Sequence, residues 1–288
     1  MCDESQMKHL LSTRFQGALV GGNLIYLNPY QIAPNRLMQD VELALINGLN
    51  SLIEHGKFVE RDWEQNILVD RSTAERSLVA MLPLMLFFHD DRVKLRERLI
   101  NVSHTWELDW ETCSSAVAIG YIISRSLTES FDAGTIVAQL LDESINLHPL
   151  LFQSLTTIDR QLNQPDSLHQ IAHQSTPISH PIVRATVLAI YCLLCAPEDL
   201  SLALRLADRI DDRSQLICAL TGILAGVQNS IAGIPLNGYL ATQDRQKWLL
   251  TADRLLATWA GVDRLSSSHQ HGDAPLAVAA PQVIQPRS

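Results

Sequence analysis

Apolar residues in this chain recur three and four positions apart, segment after segment, and that spacing confines it to a helical fold. The clearest instance follows Pro34. There Asn35 can cap a helix whose apolar positions are Met38, Val41, Ala44, Leu45, Leu49, Leu52 and Ile53. His55-Gly56 marks its end, a basic-capable side chain followed by the residue that best tolerates a left-handed turn. The same period predicts helices over about 72–88, 92–102, 110–127, 133–143, 149–162, 181–195, 197–210, 212–230 and 242–260. Runs of alternating β-branched residues are scarce, so no sheet is expected. The fold class read from the pattern is all-α.

With 288 residues and 47% hydrophobic composition, one large core can be filled. A single compact multi-helix domain is expected over 1–264. From 265 the sequence LSSSHQHGDAP loses the helical period and is punctuated by Pro and Gly, which predicts a flexible tail over 265–288. The net charge is −9, from 22 basic and 31 acidic residues with no basic run. Neutralising phosphates requires concentrated positive charge, so a nucleic-acid partner is excluded from the expectations. The longest apolar runs, 77–88 (broken by Pro83) and 187–196, fall short of the roughly 20 residues needed to span a bilayer. The start, MCDESQMKHLL, lacks the pattern of a secretory signal. The chain is expected in the cytoplasm, away from membranes.

Isolated motifs read as structure rather than chemistry. Cys192 and Cys195 have C-x-x-C spacing inside an apolar helical run, with no second pair, and are expected as buried small hydrophobes. His169 and His173 stand one helical turn apart but lack the glutamate of a metalloprotease helix, and read as surface histidines. Asp90-Asp91 reads as a helix boundary with an N-cap. Trp106 and Trp110, flanking Glu107 and Asp109, are expected to anchor the core. No phosphate-binding glycine loop and no G-x-S-x-G elbow is present.

The most specific stretch spans 197–238. Ala203-Leu204 lies on one helix, Ala219, Gly222, Ala225 and Gly226 form a small-residue face on the next, and Ile234-Pro235 ends the segment. Such a face lets a neighbouring helix approach closely. In this order the residues resemble the C-terminal signature of the ADP-ribosylglycohydrolase family. Arg14-Phe15-Gln16-Gly17-Ala18-Leu19-Val20-Gly21 is similar to that family's opening helix, R-F-x-G-A-L-x-G. Asp40-Val41-Glu42 with Glu54-His55-Gly56 is similar to its T-D-D-T helix, and Leu82-Pro83-Leu84 and Ser103-His104 are weaker echoes. The set runs in family order from about residue 13 to 240.

The resemblance implies an all-α fold, a cleft for ADP-ribosyl groups, and glycosidic hydrolysis assisted by two magnesium ions on carboxylates. Magnesium demands near-octahedral oxygen ligands, and the matching positions here have largely lost them. The family's G-G-D-T-D-T falls on Asp211-Asp212-Arg213-Ser214-Gln215-Leu216, replacing both metal-binding aspartates with Arg213 and Gln215. The T-D-D-T positions become Gln39-Asp40-Val41-Glu42. A guanidinium 4 Å from a unit positive charge is repelled by about 4 kcal/mol at an effective dielectric near 20, and a divalent ion about doubles that. Arg213 is therefore expected to replace the cation and pair with Asp40 or Glu42.

The ligand-cleft candidates are Asp40, Glu42, Asp211, Asp212, Arg213, Ser214 and Gln215. No catalytic residue is assigned. No metal or cofactor is expected, with Mg²⁺ implied only where residual family activity survives. The functional expectation is a pseudoenzyme that binds an ADP-ribose-like ligand or a protein partner. The alternatives are a working hydrolase with an altered site and an all-helical interaction scaffold.

Overall fold

In the computed structural model, residues 4–23, 36–64, 74–143, 147–162, 178–210, 215–234 and 242–261 are described. All regular structure among them is helical. The helices are α1 (Glu4–Asn23), α2 (Arg36–His55), α3 (Glu60–Glu64), α4 (Ala74–Ala80), α5 (Leu82–Phe87), α6 (Arg92–Thr105) and α7 (Trp110–Leu127). They continue as α8 (Ile136–Asp142), α9 (Pro149–Leu162), α10 (Pro181–Cys195), α11 (Leu200–Ile210), α12 (Gln215–Asn229) and α13 (Thr242–Trp259), with a 3₁₀ turn at Ile231–Gly233. The tail beginning at 265 lies outside the described residues.

The centre of the fold is the pairing of α1 with α12. Gly17 meets Gly226 and Gly21 meets Gly222, so the two helices run antiparallel. A Cβ built on Gly17 would fall 2.1 Å from the Gly226 carbonyl oxygen, and one on Gly222 would fall 2.2 Å from that of Gly21. The backbones touch because neither helix has a side chain between them, and close packing is where many weak dispersion contacts accumulate. Helices α10 and α11 pack on α12, and α13 packs on α1. The small-residue face read from the sequence thus has its partner, the R-F-x-G-A-L-x-G helix.

Local stops follow the expected chemistry. Gly56 adopts φ +66°, and its N–H donates to the Leu52 carbonyl at 2.9 Å, ending α2 where Glu54-His55-Gly56 predicts. Asp91 caps α6 by accepting from the Lys94 N–H at 3.0 Å. Its neighbour Asp90 accepts from the Trp259 indole at 3.0 Å.

Several expectations need correction. The single helix over 72–88 is two, α4 and α5, separated at Met81. Pro83 has no N–H to continue the ladder, so the chain turns there and Leu84 donates to the Met81 carbonyl at 3.0 Å. Pro197, Glu198 and Asp199 precede α11 rather than forming its first turn, and Asp199 accepts from the Leu202 N–H at 2.9 Å. Trp106 is buried, and its indole donates to the Trp63 carbonyl at 2.8 Å, as a core anchor should. Trp110 is not an anchor: it is 49% exposed, because it occupies the first position of α7 beyond the core-facing stripe. Cys192 is buried as expected, whereas Cys195 is exposed at the end of α10.

Candidate functional site

Two places in the fold carry chemistry. The first is where the sequence places its candidates, at the beginnings of α2 and α12. Asp40 lies on α2, but its side chain is outside those described, as are Asp211, Asp212, Arg213 and Ser214. The expected pairing of Arg213 with Asp40 or Glu42 therefore lies outside the described residues, since Arg213 is not among them. Glu42 is described. It is exposed, and its Oε1 accepts from Lys247 Nζ of α13 at 3.3 Å. Gln215 opens α12 as a half-buried amide, and Leu216 beside it is buried in the core.

A recess of about 480 Å³ lies elsewhere, over α6 and α7. Arg92, Arg96, Leu99, Val117, Tyr121 and Glu143 line it, and Arg92 pairs with Glu143 at 2.6 Å. Burial, and then the nearby Glu143 carboxylate, push the Tyr121 hydroxyl above its ordinary pKa. Glu42 and Gln215 are not among the residues of this recess.

The second place is where α7, α9 and α10 begin together. Asp109 caps α7, with its Oδ1 accepting from the Thr112 N–H at 2.7 Å. Its Oδ2 lies 3.1 Å from Nε2 of His180, the residue preceding α10. Glu111, in the first turn of α7, has its Oε1 3.4 Å from Nε2 of His148, which precedes α9. The His148 ring meets Trp110 edge-on at 4.7 Å. Burial alone would raise the Asp109 pKa, but its contacts with Thr112 and His180 outweigh that and hold it below the usual carboxylate range. Ligand atoms of Asp109, Glu111 and His180 all lie within 4.8 Å of one another. Sequence reading misses this cluster because its members are 71 positions apart at their widest, His180 against Asp109. The one local signal is Asp109-Trp110-Glu111 at a helix start.

Comparison with known proteins decides the family. The ADP-ribosylglycohydrolase family matches residues 7–264, nearly the whole chain. The chain belongs to the ADP-ribosylglycohydrolase family. A solved structure described as an ADP-ribosylglycohydrolase-related protein complex superposes with a TM-score of 0.62 at 15% identity. The match covers 87% of this chain and 99% of that one, and at that identity it establishes likeness of fold. No curated protein matches the sequence.

Membership of a metal-dependent family invites a test of the donors at the expected magnesium positions. Gln215 offers one neutral amide, Leu216 offers no ligand atom and is packed in the core, and Glu42 is engaged by an ammonium group. A hard divalent ion needs several converging oxygens to offset its dehydration. The described residues at these family positions do not fit such an ion. Among the described residues, no helix is long and apolar enough to cross a membrane.

Proposed function

We propose that this family member binds an ADP-ribose-like ligand without carrying out magnesium-assisted hydrolysis. The observation that carries the reading is the state of the second family helix and the start of α12. Glu42 is turned to Lys247 at 3.3 Å, and Leu216 stands buried where the family has a hydroxyl. The replacement of both aspartates of the C-terminal signature by Arg213 and Gln215 points the same way. A fixed guanidinium can offset the charge of nearby acids or of a pyrophosphate, which are tasks that a metal performs in a hydrolase. What the family framework retains is the close pairing of α1 with α12.

Calorimetric titration of the full chain with ADP-ribose, with and without millimolar Mg²⁺, tests the reading. Binding of equal strength in both conditions is expected. Binding that requires Mg²⁺, or release of ADP-ribose from a modified protein, overturns the non-hydrolysing part. Absence of binding in both conditions overturns the ligand and leaves a protein partner as the occupant of the site.

A further inference from the structure

We propose that Asp109, Glu111 and His180 form a binding site for a zinc-class divalent metal ion, separate from the magnesium positions of the family. The argument begins with spacing. Tetrahedral coordination at about 2.0–2.2 Å places neighbouring ligand atoms about 3.3–3.6 Å apart. Asp109 Oδ2 and His180 Nε2 stand 3.1 Å apart, and all three ligand atoms fit within 4.8 Å. An ion entering between them asks only small side-chain adjustments.

The three ligands are carried on elements that hold them. Asp109 is fixed by the cap of α7, which uses Oδ1 and leaves Oδ2 toward His180. Glu111 is two residues on, in the first turn of the same helix. His180 comes from the start of α10, so the site is closed by tertiary structure rather than by one flexible loop.

Histidine 148 supplies an outer contact. Its Nδ1 accepts from the Leu150 N–H at 3.2 Å, which leaves the ring proton of the neutral form on Nε2, facing Glu111 Oε1 at 3.4 Å. Ligating carboxylates are characteristically oriented by polar partners at this range. In this tautomer His148 is a positioning residue, not a ligand.

Ligand type selects the ion. One imidazole with two carboxylates suits zinc and its first-row neighbours, whereas magnesium and calcium favour oxygen throughout. Three protein ligands leave a coordination position open, and Asp109, 47% exposed, provides the side from which water or another small ligand enters. Loading displaces the His180 proton from Nε2 to Nδ1. That atom is buried without a hydrogen-bond partner among the described residues, which opposes binding and keeps the affinity moderate.

The test is titration of the untagged full chain with Zn²⁺ in the absence of nucleotide, with Co²⁺ as a spectroscopic substitute. One equivalent is expected to bind, with a cobalt spectrum that lacks the near-ultraviolet band of thiolate ligation. Asp109→Asn keeps an oxygen for the helix cap, and His180→Gln keeps a polar side chain. Each is expected to weaken binding by about a hundredfold or more while the metal-free protein retains its helical circular dichroism. His148→Gln should weaken it by about tenfold without changing stoichiometry. A thiolate band places the metal on cysteines and overturns the proposal. So does unchanged zinc affinity in both Asp109→Asn and His180→Gln, which leaves the two histidine–carboxylate pairs as links between helix ends. Because no nucleotide is present, either result is independent of the ADP-ribose titration.

Discussion

Gly17 and Gly226 meet backbone to backbone across the α1–α12 seam, each where a Cβ on the other would fall 2.1 Å from its carbonyl oxygen. No side-chain rotation can relieve that contact, since the obstructing atoms belong to main chain on both sides. Gly226→Ala must separate the two central helices, and overpacking of this kind costs about 1–3 kcal/mol or more. Gly56→Ala has open space, with 3.7 Å to the nearest atom, and bears only the strain of φ +66°, about 1 kcal/mol. Chemical denaturation should therefore rank Gly226→Ala as the more damaging substitution. Equal losses would mean that the seam opens at no more than the cost of the backbone strain at Gly56.

The two tryptophans around the α7 entry should respond in opposite ways. Trp106→Phe removes the indole donor to the Trp63 carbonyl, leaving a buried oxygen without that partner, and shrinks a ring packed 5.9 Å from Trp63. A loss of about 1–3 kcal/mol in unfolding free energy is expected. Trp110→Ala removes a half-exposed ring and should change stability by less than about 1 kcal/mol. Urea unfolding of both variants against the parent checks the contrast.

The sequence pattern exposes packing far better than chemistry here, and the reason is range. Gly222 and Gly226 belong to a small-residue face visible within one helical segment, whereas Gly17 and Gly21 enter only through the likeness of their segment to the family's opening helix. Gly56 and Asp91 are similar, since a helix end is decided by a few consecutive residues. The α4–α5 break depends on Pro83, which the sequence shows plainly, although the apolar run masks where the helix divides. Trp106 and Trp110 are alike by neighbourhood and period, and only tertiary burial separates them. The Asp109–His180 and Glu111–His148 contacts join helices distant in sequence, with no spacing to announce them.

The C-x-x-C pair should be chemically unequal. Burial, followed by the nearby Cys195 and Cys218, pushes the Cys192 thiol far above its ordinary range, so it carries almost no thiolate at neutral pH. Cys195 is also raised by burial, but its residue is exposed at the end of α10. Brief alkylation of the native protein at mildly alkaline pH should label Cys195 well before Cys192, as read by peptide mass mapping. Equal labelling of the two would mean that α10 opens on the timescale of the reaction.

Glu42 and Lys247 provide the plainest check on how the α2 face is used. Their side chains are 46% and 49% exposed, and an ion pair of that kind contributes about 0.2–1 kcal/mol, less at high salt. Glu42→Gln should thus shift the unfolding midpoint only slightly, and the shift should shrink between low and high ionic strength. A Glu42 working as a metal ligand would behave differently, since its removal would also abolish any stabilisation by Mg²⁺. Thermal melts of the parent and Glu42→Gln, each with and without Mg²⁺, distinguish the two. The expected outcome is a small salt-dependent difference between the proteins and no magnesium effect in either, because the carboxylate is paired with Lys247 and Arg213 and Gln215 replace both aspartates of the C-terminal signature.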